Sequence, residues 1–259
     1  MLTWLKTRWQ QGIRTSRFPR DGGDFPERFR GLPVRDPAKC RDACRACAQR
    51  APSAFLRAQP PGSVSLDVGA CLFSPEEAGA CSAGAIGYSR DYRMATSSRE
   101  ALVSPTGAVE LARALDERTR KLFRRSLRLR SVVAGSCNGC EAELAALGNV
   151  VFDMARFGIQ FVASPRHADG IVVTGAVNRN MRRALELTYE AVPPPKLVIA
   201  VGACAISGGP FAGSPEVGTG VGDILPVDLW VPGCPPHPLT TLDGLLRLLG
   251  TIDHGERKI

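Results

Sequence analysis

The 259-residue sequence contains no run of residues that is long and apolar enough to span a bilayer. It shows no signal peptide, because its start lacks both a long apolar core and a small-residue cleavage site, and it shows no twin-arginine export signal. These absences predict a cytosolic chain rather than a secreted one. No recognised nucleic-acid-binding motif accompanies the basic residues, which argues against a nucleic-acid partner.

Acidic residues are the scarcer charged type: 25 Asp and Glu stand against 33 Lys and Arg, a formal net charge of +8. This excess fits an ordinary solvated surface, and it equally fits a face that meets anionic lipid or an acidic partner.

Hydrophobic residues make up 44% of the sequence, enough for a substantial core in one large or two smaller domains. Nine cysteines are a high count, and clustered cysteines in a cytosolic chain indicate metal binding more often than disulfides.

The second half of the sequence alternates short apolar strands with helices. This pattern predicts an α/β fold: a flavodoxin-like parallel sheet with helices on both faces. The functional crevice of such a sheet lies beyond the carboxyl ends of its strands. The predicted strands are residues 127–134, 159–163, 170–175, 197–201 and 227–231, and the predicted helices are residues 141–147, 179–190 and 239–249.

Four cysteines directly follow three of these strands, so we expect them to meet at one edge of the sheet. Neighbouring glycines allow a close approach of the backbone, and prolines stiffen the last of the three loops. The spacing of the four thiols does not resemble a compact zinc finger, and four thiolates in a crevice suit a 4Fe–4S cluster. These cysteines are Cys137 and Cys140 in Gly-Ser-Cys-Asn-Gly-Cys-Glu, Cys204 in Val-Gly-Ala-Cys, and Cys234 in Val-Pro-Gly-Cys-Pro-Pro.

A second group of cysteines lies within residues 37–95. The bacterial ferredoxin pattern is C-x2-C-x2-C-x3-C-P, written twice, and three cysteines of one run share a cluster with the last cysteine of the other. One such set keeps four thiols here, namely Cys40, Cys44, Cys47 and Cys81. The other set keeps only Cys71, with Ala51, Ser74 and Glu77 at the remaining positions, and we predict that it is empty.

This comparison predicts a small degenerate ferredoxin-like domain that holds a second 4Fe–4S cluster. Zinc at the same four thiols is an alternative, because tetrahedral thiolate sites suit either metal. A packing module that has lost both clusters is the other alternative.

Two further segments complete the predicted organisation. Residues 1–12 are predicted to form a short amphipathic helix within a basic arm, suited to a membrane–water interface or a partner groove; a frayed basic arm without a fixed role is the alternative. Residues 107–125 are predicted to form a helix that bridges the two halves. The predicted bounds are 1–36 for the arm and linker, 37–95 for the ferredoxin-like domain, 96–125 for the bridging segment, 126–251 for the α/β domain and 252–259 for the tail.

A series of ordered motifs between residues 126 and 251 resembles the small subunit of membrane-bound NiFe hydrogenases of the formate hydrogenlyase and hydrogenase-4 group. The same motifs resemble the related 20 kDa subunit of respiratory complex I, the NADH-quinone oxidoreductase. The complex I protein carries adjacent cysteines in the first motif, whereas Asn138 and Gly139 separate the two thiols here, as in the hydrogenase branch. The motifs are Gly135–Glu141, Arg156–Ile159, Ser164–Asp169, Val173–Val177, Gly202–Gly209 and Pro226–Pro236.

The resemblance implies an iron–sulfur electron-transfer subunit of a membrane-associated complex, at the cytoplasmic face of the inner membrane. It implies that Cys137, Cys140, Cys204 and Cys234 ligate the 4Fe–4S cluster nearest to an active site in a separate large subunit. The implied partners are a NiFe-hydrogenase-like large subunit, a ferredoxin-like electron-transfer subunit and complex I-like membrane subunits. The chain itself would make and break no substrate bonds.

Two other functions stay open at this point. One is the iron–sulfur subunit of a complex I-like quinone- or ferredoxin-linked oxidoreductase without hydrogenase chemistry. The other is a metal-stapled structural assembly module without a redox role. The loop at residues 211–218 also departs from the family pattern, because small residues stand there in place of aromatic ones.

Overall fold

The computed structural model describes residues 2–23, 25–40, 46–59, 63–123 and 126–252. Its helices are α1 (Thr3–Gln11), α2 (Ala46–Arg50), α3 (Pro75–Gly79), α4 (Glu117–Phe123), α5 (Gly139–Ala146), α6 (Arg179–Ala191), α7 (Ala203–Ser207) and α8 (Pro238–Leu248). Its strands are β1 (Pro33–Arg35), β2 (Leu56–Gln59), β3 (Ser63–Asp67), β4 (Ile86–Tyr88), β5 (Val103–Ser104), β6 (Leu127–Val133), β7 (Ile159–Phe161), β8 (Gly170–Thr174), β9 (Leu197–Val201) and β10 (Leu229–Val231). Within these described ranges, no helix has the length and apolar character needed to cross a membrane.

The second half of the chain is built on a five-stranded parallel sheet in the order β10–β9–β8–β6–β7. The first strand of this sheet in the sequence is β6. Strand β7 pairs with β6 on one side, and β8, β9 and β10 follow in order on the other side. The strand order therefore reverses between β6 and β8, and ligand crevices of open α/β sheets form beyond the carboxyl ends of strands at such a reversal. The predicted α/β sheet is confirmed, with strand and helix ends that differ by a few residues.

Alternate residues of the central strands enter two separate hydrophobic cores, one on each face of the sheet. In β8, Ile171 and Val173 enter one core and Val172 enters the other. Helix α6 contributes Leu185 to the first core, whereas Leu144 of α5 and the fully buried α8 contribute to the second. Both faces of β8 and β9 are thus covered, which explains why these strands are apolar without interruption.

The N-terminal half contains two small antiparallel sheets, one made of β1 and β4 and the other of β2, β3 and β5. It does not stand apart from the rest of the molecule. Phe55, Leu66 and Val68 belong to the same hydrophobic core as Ile206 and Trp230 of the α/β half. A ferredoxin-like identity for this N-terminal half stays a prediction.

A close contact between the two halves is made by a single helical turn at Val68–Ala70, which packs against α7. A Cβ atom on Gly69 would lie 2.7 Å from Cγ2 of Ile206, so only glycine permits this approach. The Ser207 hydroxyl donates a hydrogen bond to the Gly69 carbonyl at 3.3 Å. The buried Asp67 carboxylate accepts the Gly69 N–H at 3.1 Å and fixes the turn from the other side.

The predicted helix over residues 107–125 is wrong for most of its length, because only α4 near its end is helical. The segment before α4 gives its backbone N–H groups to other parts of the chain. Ala112 donates to the carbonyl of Ala95 at 2.8 Å, and Leu115 donates to the carbonyl of Leu248 at 2.9 Å. These groups are then unavailable for the bonds that hold a helix together.

Residues 21–36 are predicted as a linker, yet the part that the structure describes is tied to the body. Phe25 is buried and stacks on Phe29 with 4.2 Å between the ring centroids. Both rings meet the edge of His237, at 5.1 and 5.6 Å. The predicted N-terminal helix is present as α1, and it has no buried residue.

Candidate metal centre

Three loops bring the four predicted thiols to the carboxyl edge of the parallel sheet. The loops after β9 and β10 are joined by a backbone hydrogen bond from the N–H of Ala203 to the carbonyl of Gly233, at 2.8 Å. Residues that are far apart along the chain are therefore neighbours in space. The thiols are Cys137 and Cys140 after β6, Cys204 after β9, and Cys234 after β10.

The turn that carries Cys137 and Cys140 depends on glycine where it leaves β6. Gly135 has a φ of +96°, and a Cβ atom there would lie 2.4 Å from Nδ2 of Asn178. The loop after β8 packs on the same turn, because a Cβ atom on Gly175 would lie 2.6 Å from the carbonyl carbon of Gly135. The position of the first two thiols is thus fixed by a close backbone contact at the strand reversal.

Two other glycines leave room beside thiol sulfurs. A Cβ atom on Gly202 would lie 2.5 Å from Sγ of Cys140, and one on Gly209 would lie 2.8 Å from Sγ of Cys204. Both glycines have positive φ angles, of +91° and +56°. An alanine at either position would push on the sulfur itself, so the backbone shapes the space around these thiols.

The four thiols differ in their exposure to solvent. Cys140 is buried, Cys204 is half-buried, and Cys137 and Cys234 are exposed. The site is therefore closed around Cys140, at the start of α5, and it is open on the side of Cys137 and Cys234.

The thiols are near enough to perturb one another's ionisation. Burial raises the pKa of Cys140 to about 12, and charges on Glu141 and the other three thiols add to this effect. Burial also raises the pKa of Cys204 to about 11, followed by the charges of Cys234 and Cys137. The pKa of Cys234 rises for the same reasons, first burial, then Cys137 and then Glu77. A bound cation would be needed to hold these three groups as thiolates at neutral pH.

Glu141 is held by hydroxyl groups on both sides. The hydroxyl of Ser136 donates to Oε2 of Glu141 at 2.9 Å, and the hydroxyl of Thr174 donates to Oε1. A carboxylate in the first turn of α5 is also stabilised by the helix dipole. These contacts favour a structural role for Glu141. Glu143 lines the same cavity as Cys234, and burial raises the pKa of Glu143.

The residues at this edge fit an iron–sulfur cluster. In the described parts of the chain, no group of three or more His, Cys, Asp or Glu side chains could hold a single metal ion. Zinc gathers its four ligands around one atom, at about 2.3 Å from each sulfur. A 4Fe–4S cluster instead takes one cysteine on each of its irons, so its ligands stand further apart. Four cysteines on three glycine-bearing loops are the donor set that a 4Fe–4S cluster takes.

The predicted N-terminal ligands are described less completely, because Cys44 lies outside the described residues. The Arg35 guanidinium donates to Sγ of Cys40 at 3.4 Å. Cys47 is buried in the hydrophobic core that the two halves share. A hydrogen-bonded cation beside Cys40 and burial of Cys47 are compatible with metal ligation, and this assignment stays a prediction.

The segment around Cys81 lies next to the other N-terminal cysteine segments. The N–H of Ala85 donates to Sγ of Cys81 at 3.4 Å. Arg50, at the end of α2, reaches the hydroxyl of Ser82 at 3.5 Å. The pairing of β1 with β4 brings the chain before Cys40 to the same place. The described parts of the N-terminal cysteine region therefore converge.

Arg166 and His167 do not belong to the thiol site. The sequence allows them to tune the cluster, to face a partner or to make a surface salt bridge. In the structure they lie in a short turn that leads into β8, so they sit at the opposite edge of the sheet. This position removes the tuning role.

Two features of the site are not identified by sequence reasoning. The contact between Gly202 and Cys140 joins residues from different loops, and only the strand order makes them neighbours. Glu77 is noted in the sequence only as a residue that replaces a cysteine. Its hydrogen-bond partners come from several separate segments, so no local signal identifies them.

Comparison with known protein families places the thiol site in a matched segment. The family model described as NADH ubiquinone oxidoreductase, 20 kDa subunit, matches residues 137–248. This segment begins at the first thiol and includes all four thiols of the site. The N-terminal half lies outside it.

Several curated proteins are similar to the same part of the chain. Formate hydrogenlyase subunit 7 of Escherichia coli is 45% identical over 133 residues, which cover 51% of this chain and 52% of that protein. A probable membrane-bound hydrogenase subunit, mbhJ, of Pyrococcus furiosus is 46% identical over 118 residues, 46% of this chain and 71% of that protein. An NADH-quinone oxidoreductase subunit of Heliobacterium modesticaldum is 48% identical over 116 residues, 44% of this chain and 66% of that protein. The chain spans about half the length of the E. coli relative.

Among solved structures, a chain of the membrane-bound sulfane sulfur reductase, an archaeal respiratory membrane complex, is similar over 55% of this chain and 78% of that chain. The two share 33% sequence identity, and the TM-score is 0.46.

Proposed function

The chain belongs to the family of the NADH ubiquinone oxidoreductase 20 kDa subunit, and we propose that it is the iron–sulfur electron-transfer subunit of a membrane-associated NiFe hydrogenase complex. Its relatives are subunits of oxidoreductase complexes, which supports an oxidoreductase role in general. The chain relays electrons to or from a separate large subunit that carries out the reaction. It makes and breaks no substrate bonds itself.

The observation that carries this proposal is the meeting of four thiols from three loops at one sheet edge. The three loops are far apart in the sequence, and the order of the strands in the sheet brings them together. Glycines stand where side chains would collide with two of the sulfurs. The proposed ligands are Cys137, Cys140, Cys204 and Cys234.

When bound there, a 4Fe–4S cluster supplies one-electron transfer. The chain's own residues hold it and shape its surroundings. Gly202 and Gly209 keep space beside two of the sulfurs, and the carbonyl of Gly233 anchors the loop after β9 to the loop after β10. The exposed side, at Cys137 and Cys234, is the side that a large subunit would cover.

The first thiol pair favours hydrogenase chemistry over the complex I-like alternative. Asn138 and Gly139 separate Cys137 from Cys140, as in the hydrogenase branch that the motifs resemble. Formate hydrogenlyase subunit 7 and the H. modesticaldum oxidoreductase subunit nevertheless have similar identity to this chain, 45% and 48%. The large subunit decides the matter, because NiFe ligation needs two cysteine pairs in that subunit.

Electrons enter from a ferredoxin-like partner subunit through the N-terminal half. There we propose a second cluster, held by Cys40, Cys44, Cys47 and Cys81. The shared hydrophobic core and the contact of residues 68–70 with α7 join this half directly to the loop of Cys204. A route through the N-terminal half would therefore pass through packed protein.

The N-terminal arm supports a peripheral position on the cytoplasmic face of the inner membrane, beside complex I-like membrane subunits. The first twenty residues contain five Lys and Arg and no Asp or Glu. Trp4 and Trp9 of α1 are 65% and 89% exposed, and Val150 beside the arm is 63% exposed. Exposed aromatic rings next to basic side chains suit an anionic lipid surface.

Iron and sulfide quantification of anaerobically purified full-length chain tests the proposal. We expect about eight irons per chain if both clusters are present, and about four if only one is. The visible absorbance is expected to bleach with dithionite, which a purely structural metal such as zinc would not do.

A matched pair of variants locates the iron. Cys137→Ser removes an exposed thiol, so it disturbs little of the core, and we expect it to lose about four irons. Cys71→Ser is the control, because Cys71 is not one of the proposed ligands. The serine hydroxyl also keeps a hydrogen-bond donor at this position. Equal iron in wild type and the Cys137→Ser variant would contradict the proposed site.

A further inference from the structure

Glu77 is a fully buried carboxylate, with 0% of its surface exposed, in the half-site that keeps only one of its four cysteines. The ferredoxin pattern would place a cluster ligand at this position and another at Ser74. In the structure Ser74 and Glu77 instead form a reciprocal capping box at the start of α3. A buried charge needs paired donors to be stable, and this half-site supplies them.

Backbone N–H groups donate to Glu77 from the loop before α3. The N–H of Leu72 lies 2.9 Å from Oε1 and 3.1 Å from Oε2, and the N–H of Ser74 lies 3.2 Å from Oε2. A backbone N–H can only donate, so these groups require an acceptor at this place. The sulfurs of a bound cluster would accept N–H groups in the same way.

Side chains complete the shell of donors. The hydroxyl of Ser53 donates to Oε1 of Glu77, and the Tyr88 hydroxyl lies 3.1 Å from Oε2. The thiol of Cys71, the one cysteine left in this half-site, lies 3.3 Å from the same oxygen. Five groups from three segments of the chain therefore lie within hydrogen-bond distance of one carboxylate, which is how a buried polar group is kept satisfied away from solvent.

This carboxylate lies one loop away from the main thiol site. Phe73, between the two backbone donors, lines a cavity of about 250 Å3 together with Gly233 and Cys234. The loop that surrounds Glu77 thus forms one wall of the cavity, and the loop of Cys234 forms another. A charge at this depth is poorly screened by solvent, so its field reaches the neighbouring site.

We propose that Glu77 takes the place of the cluster that the half-site of Cys71 would hold, and that its fixed negative charge lowers the reduction potential of the cluster held by the Cys234 loop. The second part rests on the proposed function. Reduction adds one electron to that site, and a nearby negative charge disfavours the reduced form. Glu77 is thus a positioning and tuning residue that carries no metal.

The first test compares Glu77→Gln with Glu76→Gln in the full-length chain. Both substitutions remove one negative charge from the same helix, but Glu76 is exposed and Glu77 is buried. Anaerobic redox titration followed by electron paramagnetic resonance is expected to show a higher midpoint potential in Glu77→Gln and an unchanged one in Glu76→Gln. Both variants are expected to keep the iron content of the wild type.

A second variant shifts the potential in the opposite direction. Ser53→Ala removes one donor from the carboxylate but leaves its charge, so the midpoint potential is expected to fall. This variant keeps the proposal testable if Glu77→Gln does not fold, which circular dichroism would reveal. A purely structural role for Glu77 would give no such pair of opposite shifts.

The outcomes separate this inference from the proposed function. If the reconstituted wild type shows no cluster signal, the proposed function fails. If the signal is present but Glu77→Gln and Glu76→Gln have the same midpoint potential, the charge effect is refuted. If Glu77→Gln alone loses about four irons, Glu77 is a ligand and its role as a replacement for the cluster is overturned.

Discussion

Gly202→Ala is the substitution that tests the geometry of the thiol site most directly. Gly202 has a φ of +91° and a ψ of +155°, a backbone conformation that essentially only glycine adopts. Its added Cβ atom would lie 2.5 Å from Sγ of Cys140. The substitution therefore strains the backbone and displaces a proposed ligand at the same time.

The two effects have estimable sizes. Backbone strain in such a region costs about 1–3 kcal/mol. Forcing an extra methyl group against a packed sulfur costs about 1–3 kcal/mol more. Domains are stable by about 5–15 kcal/mol, so Gly202→Ala is expected to remain folded but clearly weakened. The displaced Cys140 thiolate should also reduce iron retention.

Gly213→Ala is the matched control. Gly213 also has a positive φ, of +86°, but a Cβ atom there would meet nothing within 4 Å. It should cost about 1–2 kcal/mol from the backbone alone and leave the iron content unchanged. Urea unfolding and iron quantification compare the two variants. If Gly202→Ala loses no more stability and no more iron than Gly213→Ala, the close approach of Gly202 to Cys140 has no role in the site.

Two more predictions concern the metal-free chain and the N-terminal arm. Since burial raises the pKa of Cys140 to about 12, the neutral thiol stabilises the metal-free fold below the ordinary pKa of about 9, and this contribution is lost as the pH rises towards about 12. Urea midpoints of the metal-free chain should therefore fall over this range, and Cys140→Ser should flatten the decline; a midpoint that rises would contradict the sign. For the arm, a double substitution of Trp4 and Trp9 by Ala should weaken binding to vesicles that contain anionic lipid by at least about 100-fold, because each ring loses about 1.5–3 kcal/mol of burial and about 1.4 kcal/mol is a factor of ten. Leu187→Ala, at a side chain of α6 that is 48% exposed, is the control; equal binding of the two variants would argue for a protein partner at the arm instead.

The parallel sheet was predictable because its central strands are recognisable from their own sequences. Strands β8 and β9 are buried on both faces, so their sequences are apolar without interruption. The meeting of the thiols was predictable for the same reason, since loops after parallel strands share one edge. The dependence on Gly202 was not, because the Cys140 sulfur that it accommodates belongs to another loop.

The segments between the two halves were harder to predict because their contacts are distant in sequence. The apolar spacing of residues 107–125 suits a helix, yet Ala112 and Leu115 use their N–H groups to bond Ala95 and Leu248. A periodic pattern cannot show that a distant carbonyl competes for the same donor. The edge-on contact of Phe25 with His237, in a stretch rich in glycine, proline and charge, is hidden for the same reason.

The contact between the two halves explains why the N-terminal half matters to a site that it does not contain. Gly69 packs on Ile206, and Ser207 bonds the Gly69 carbonyl, so this turn rests on α7. Helix α7 also carries Cys204, and its last residue is Ser207. A displacement of the N-terminal half would therefore move a proposed ligand directly. Because the turn packs on α7 itself, the position of the N-terminal half is tied to that of Cys204.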